Sequence, residues 1–548
     1  MKVFNLISKT IGRILFVIIF FFTSSVNSMD KYNKAERLSD YFSGILLLNE
    51  NQYDESLKFL KRLNGLETSH VYYSSKYLYS LINSGNFKEA FNYSRKLEKQ
   101  NLDSFESNVI TGIFYLKNSN TDLAQKYFLK AKNRNSRFIL NNYISSSLYN
   151  WSSLNKFNLN QASLELKKLD ERFENLKKIQ NIFLHCYFNS QKTSNLFTQL
   201  ISNEKTDFSR YNYFYASFVA ISGKTDEAKN IINTSLNLYP RNLLLNQYKI
   251  DLNENKNVSI FNCKKEEHVI AEILYVTANA LSSQSVYSLS NFYLNLAKYL
   301  NKNFHSYDTL LAENFYKIGN LEKSKKIYTN LSKKGKAFQW YSSKQLARIF
   351  MQEENKDKSL KLIREAYSSL INKDIYETYD YAEFLKNNEK FKESIPYYGK
   401  IIKKVSKDHP LYPEATDGRG IAYERIGEWD KAEKDLLSSL DADPEQAYVI
   451  NYLAYTWIEQ GVKIEKSLNM LEKANKLKSN DPYIIDSLGW ALFKLQRYKE
   501  SKGYLQLAVK LMPGDPIVND HYGDVLWKNG NQIQARYYWN YVLNLEKA

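Results

Sequence analysis

Glycine is scarce in this 548-residue chain, with 18 residues, about 3% where ordinary usage is ~7%. Few positions are therefore free to take positive φ. That argues against turn-rich all-β architecture and against glycine loops that cradle phosphate. Proline is scarcer still, at 8, so few helices are interrupted. Only two cysteines occur, Cys186 and Cys263. They exclude a disulfide framework and a cysteine-based metal site, and leave open whether they pair with each other. The histidines His70, His185, His268, His305, His409 and His521 fall at no ligand spacing. They read as surface or satisfied core residues, so no metal or cofactor is expected. Phosphate-loop, zinc-protease, CxxC and nucleophile-elbow patterns are all missing. "DGRGIAY", around Gly418 and Gly420, is half a dinucleotide fingerprint, but no strand precedes it. The chain reads as a non-enzyme.

Long apolar runs are missing too. The longest near the N-terminus is Ile14 to Phe22, nine residues behind Lys2, Lys9 and Arg13. Nine residues cannot span a ~30 Å hydrocarbon core as a helix. With Val26 and Ser28 ahead of Met29, residues 1–28 are expected to be a cleaved secretory signal. An uncleaved anchor in the inner membrane is the alternative.

Aromatics and lysine are abundant. The chain has 44 Tyr, 30 Phe and a net charge of +17. The surplus is uneven, since Leu411 to Ala548 holds 17 basic and 20 acidic residues. The lysines are spread along polar faces, which ordinary solvation explains, and no nucleic-acid partner is expected. A basic body can still be drawn weakly to a membrane surface. The alternative function is therefore a basic solenoid that binds an anionic envelope polymer or lipid surface.

Small residues mark a regular step. Gly420, Ala454, Gly489 and Gly523 are spaced by 34, 35 and 34, and Ala432, Ser467, Ser501 and Ala535 follow twelve or thirteen positions later. The second column continues backward through Ser394, Ser359, Ser324 and Ser290, and reappears at Ala228, Ala124, Ala90 and Ser56. Two antiparallel helices per step, with small residues where the backbones approach, account for the pitch. Pro482 and Pro516 stand where a helix begins, each behind an aspartate suited to capping it. The gap from Ala124 to Ala228 has room for two degenerate copies.

"GWALFKLQRYKESKGYLQLAVKLMPGDP" resembles a tetratricopeptide repeat, with Gly489, Ser501, Leu505, Ala508 and Pro513 on consensus positions. "NYLAYTWIEQG" and "DPIVNDHYGDVLWKNGNQIQARYYW" resemble more narrowly a family of exported, many-repeat proteins of proteobacteria. The resemblance implies an all-α solenoid, a right-handed superhelix of antiparallel helix pairs, with about 12–14 repeats. The expected layout is a signal at 1–28, repeats at 29–240, an irregular joint at 241–268, central repeats at 269–409 and C-terminal repeats at 410–548.

First helices line the inner wall of such stacks, and that wall binds extended peptides or partner helices. The candidate wall residues include the aromatics Tyr455, Trp490, Phe493 and Trp527, which suit recognition. A polar column, Asp417, Asn451, Asp486 and Asp520, recurs at steps of 34, 35 and 34, and Asp524 joins it. The expected function is a scaffold for protein–protein interaction on the periplasmic side of the cell envelope. Tyr537 and Tyr541, on the last helix, offer a surface for oligomerisation.

Overall fold

The computed structural model describes residues 35–134, 138–202, 207–256 and 260–545. The expected signal at 1–28 lies outside the described residues. The described chain is helical throughout and forms fourteen antiparallel hairpins plus one unpaired helix, Leu243–Asn253. This is the all-α solenoid of helix pairs that the 34-residue step implies. Among the described residues, no helix is long and apolar enough to cross a membrane.

The two small-residue columns meet at close quarters. A Cβ added to Gly489 would lie 2.7 Å from Leu505 Cγ, and one on Gly523 would lie 2.6 Å from Trp539 Cδ1. Glycine at these positions lets the second helix of the hairpin close onto the first. Serine in the second column adds a hydrogen bond across the pair. The hydroxyls of Ser56, Ser290, Ser324, Ser359 and Ser501 donate to the carbonyls of Gly44, Ala278, Ala312, Ala347 and Gly489, each twelve residues earlier, at 2.7–2.9 Å. The recurrent serine is thus a buried donor that a helical carbonyl accepts, worth about 1 kcal/mol per bond. Helix entry also follows the sequence. The Asp481 side chain accepts from the backbone N–H of Tyr483 and Ile484, and Asp515 from that of Val518, each ahead of a proline at the first helical position.

The chain divides into two compact units, Met1–Leu362 and Ile363–Ala548. In the first unit the early hairpins do not stay open. Helix Tyr287–Leu300 packs against Val71–Asn83 and Phe105–Lys117, far away in sequence. Tyr79 stacks on Phe292 at 4.5 Å and Phe87 on Tyr299 at 4.3 Å between ring centroids. Lys117 Nζ donates to the Leu300 carbonyl at 2.8 Å. The unit thereby covers part of its own first-helix wall with a second helix of a later hairpin, burying Phe292 and Tyr293.

The span 241–268 is not wholly irregular, because it contains Leu243–Asn253. Leu245, Tyr248 and Leu252 give that helix a buried stripe. Among the described residues, no second helix completes a hairpin with it. The chain runs on through Cys263, which is bonded to Cys186 with a Cα–Cα distance of 6.1 Å across 77 residues. Beside this region Arg210 and Glu272 form a two-pronged ion pair, with both contacts at 2.8 Å, and the guanidinium lies 3.9 Å from the Tyr275 ring centroid.

Candidate functional site

In the second unit, helices Leu411–Arg425, Ala447–Glu459, Pro482–Lys494 and Pro516–Lys528 are the first helices of successive hairpins. Their 34- and 35-residue steps put equivalent positions side by side, so the candidate residues form rows across the stack. The structure brings the middle of the rows together. The Trp490 ring lies between Phe493 at 4.7 Å and His521 at 3.9 Å, with interplanar angles of 6° and 11°. Tyr455 tilts toward His521 at 6.4 Å. The Trp490 indole N–H donates to Glu459 Oε1 at 2.6 Å, and Lys494 Nζ sits 4.8 Å from the indole centroid. This array ties three successive repeats through rings, each with one face or edge against the next.

The polar column is less uniform than its spacing. Asp486 is buried and its Oδ2 lies 2.9 Å from Nδ1 of His521. Asn451 Oδ1 is buried with no hydrogen-bond partner among the described residues. Asp520 is exposed. Burial pushes the Asp417 carboxyl up to about 6; Lys386 pulls it down and Glu383 adds to the rise. Burial also raises Asp524, with the Asp520 charge adding to it and the Trp539 indole opposing. Burial pushes the Tyr455 hydroxyl up to about 12, helped by Glu459 and Asp486.

Accessibility sorts the aromatics. Trp490 is 7% exposed and belongs to the wall itself. Tyr455 and Phe493 are half-buried, and Trp527 is exposed at 36%. Trp527 lies apart from the Trp490 stack, paired instead with Trp539 at 5.4 Å and with the Arg536 guanidinium at 5.8 Å. The rows therefore present a mixed surface, with apolar ring edges beside carboxylates of which Asp417 and Asp524 are poorly solvated and Asp520 is exposed. Such a surface can accept N–H groups and cations while holding apolar side chains.

Sequence reasoning passed over His521, Glu459 and Lys494 as members of the wall. His521 follows Asp486 by 35 residues, one repeat step, so a search for polar pairs one step apart would have found it. Arg419 and Asp435, joined at 2.6 and 2.8 Å within one hairpin, were also passed over. Among the described residues, no group of His, Cys, Asp and Glu could hold a metal ion.

Residues 317–548 match the tetratricopeptide repeat family model. The four hairpins that carry the rows lie within the matched residues. A TPR repeat-containing protein of Pseudomonas aeruginosa is 29% identical over 128 residues, which is 23% of this chain. The match spans 21% of that relative's length. Among solved structures, MamA from Desulfovibrio magneticus RS-1 is similar at 17% identity, over 32% of this chain and 98% of its own, with a TM-score of 0.29. YrrB, described as a TPR protein with an unusual peptide-binding site, is similar at 17% identity over 32% of this chain and 87% of its own, with a TM-score of 0.27.

Proposed function

We propose that this chain is an exported, non-catalytic scaffold on the periplasmic side of the cell envelope. It binds extended segments or helices of partner proteins along the first-helix rows of repeats 411–548. One observation carries the reading: the ring array around Trp490 leaves Tyr455 and Phe493 half-exposed beside the carboxylate row. A peptide laid across successive repeats meets apolar edges and acceptors in alternation, the combination that peptide grooves use. The Cys186–Cys263 bond supports export, because disulfides persist in oxidising compartments. Recovery of both thiols in the reduced state from intact cells would overturn the export reading.

The binding test is affinity capture from envelope extract with the full chain, compared with Phe493→Ala and Asp520→Ala/Trp527→Ala. Asp520 and Trp527 are exposed, and circular dichroism of Phe493→Ala, whose ring packs on Trp490 and Tyr498, checks that the repeats still fold. Loss of the same captured protein in both variants is expected. An unchanged set of captured proteins would sink the groove reading.

A further inference from the structure

The first unit carries a concavity of its own. A cleft of about 980 Å³ is lined by helices Leu321–Leu331, Lys336–Gln352 and Lys356–Ser369. Gln339, Ser343, Leu346 and Phe350 follow one another at steps of four, three and four, so a single face of Lys336–Gln352 supplies the base. Six lysines surround that base: Lys256, Lys325, Lys326, Lys333, Lys336 and Lys358. Among the described residues, Glu322 is the one acid in the lining, and no arginine is present.

Some of these ammonium groups are already held in place. Glu254 takes both Lys256 and Lys336 at 2.6 Å, and Lys325 reaches Glu322 at 2.5 Å and Glu353 at 2.7 Å. Lys358 lies 4.1 Å from the Phe350 ring centroid. Lys326 and Lys333 are exposed and make no ion pair among the described residues. Lys256 also lies 4.0 Å from Asp251, so three glutamates and one aspartate set against the six lysines leave a surplus of two positive charges around an apolar strip.

That arrangement discriminates between ligands. A compact phosphate group would satisfy some lysines and leave Leu346 and Phe350 uncovered. A bilayer surface would meet the rim without filling a concave base. An acidic peptide satisfies both features at once, with carboxylates reaching lysines on the two walls and an apolar side chain resting on the strip. We propose that this cleft docks an acidic peptide segment of a partner protein. The proposal rests on the scaffold reading but uses none of the residues of the second unit.

The test is fluorescence anisotropy of a short labelled peptide of glutamate and leucine against the full chain. Lys326→Glu/Lys333→Glu reverses the two lysines that hold no ion pair, so folding is not at stake. Lys499→Glu/Lys510→Glu, at exposed positions of the second unit, makes the same charge change elsewhere. Binding is expected to weaken with added salt. The cleft variant is expected to lose about tenfold or more in affinity, and the control variant little. Equal affinity in the two variants would overturn the proposal. So would binding of tripolyphosphate or of phosphatidylglycerol vesicles through Lys326 and Lys333 when the peptide does not bind. A loss of capture confined to Asp520→Ala/Trp527→Ala would bear on the groove alone and leave the cleft standing.

Discussion

Asp417 offers the sharpest check on the energetics of the candidate rows. Its carboxyl, ordinarily near 3.8, is held up to about 6 chiefly by burial. Below pH ~4 the group is protonated in both folded and unfolded chains, and it imposes no penalty. As the pH rises above ~4 the unfolded chain ionises while the buried carboxyl of the folded chain stays protonated, so stability falls between pH ~4 and ~6 and stays lower above. A displacement from 3.8 to about 6 corresponds to about 3 kcal/mol. Because Asp417 keeps some exposure, that figure is a ceiling. Asp417→Asn removes the ionisation and leaves the shape, so it should stabilise the second unit at pH 7 by up to about 3 kcal/mol and do little at pH 4. Urea unfolding followed by tryptophan fluorescence is suited to the measurement. Five of the seven tryptophans, Trp429, Trp457, Trp490, Trp527 and Trp539, lie in that unit. Midpoints are compared at constant slope, since repeat arrays need not unfold in one step. An equal difference between variant and wild type at both pH values would refute the burial argument.

Two further outcomes follow from the packing. Gly489→Ala forces a Cβ to within 2.7 Å of Leu505 Cγ and should destabilise by about 1–3 kcal/mol. Gly503→Ala, in helix Tyr498–Leu511 with nothing within 4 Å of the added Cβ, should instead stabilise by up to about 1 kcal/mol. Thermal midpoints that move the same way in both would contradict the close-approach account. On the last helix Ile533, Tyr537 and Tyr541 recur every four residues and are 85%, 69% and 37% exposed. If this face joins copies of the chain, Tyr537→Ser/Tyr541→Ser should sediment as a smaller species than wild type, and identical sedimentation would remove the idea.

The step of the solenoid was legible because a packing constraint writes it into single positions. Where Gly489 meets Leu505, no larger residue fits without movement, so smallness recurs at a fixed interval. The serine column was legible only as small. Its hydroxyl-to-carbonyl bond depends on two backbones brought together, which no local pattern displays. The helix Leu243–Asn253 escaped the reading of 241–268 as a joint, because three buried apolar positions within one short element give a weak periodic signal among polar neighbours. The packing of Phe292 against Tyr79 was not legible at all, because the pair lies many repeats apart and repeat periodicity reports neighbours only. The candidate rows were legible as positions but not as environments. Asp417, Asp486 and Asp520 share a column in the sequence, yet they differ in structure: one is held by burial, one is placed beside His521, and one is open to solvent.

The seating of Tyr287–Leu300 on the early hairpins has a kinetic consequence. A plain repeat array can nucleate anywhere and grow by neighbour contacts alone. In the first unit, Asn295 hydrogen-bonds Asn83 across 212 residues, so closure entropy is repaid only once a long stretch of chain has been synthesised. The early hairpins emerge from the ribosome with an aromatic face that its own cover has not yet reached. Over that interval the face is open to chaperones or to misassociation, whereas the second unit, built from neighbouring contacts, can assemble as it appears.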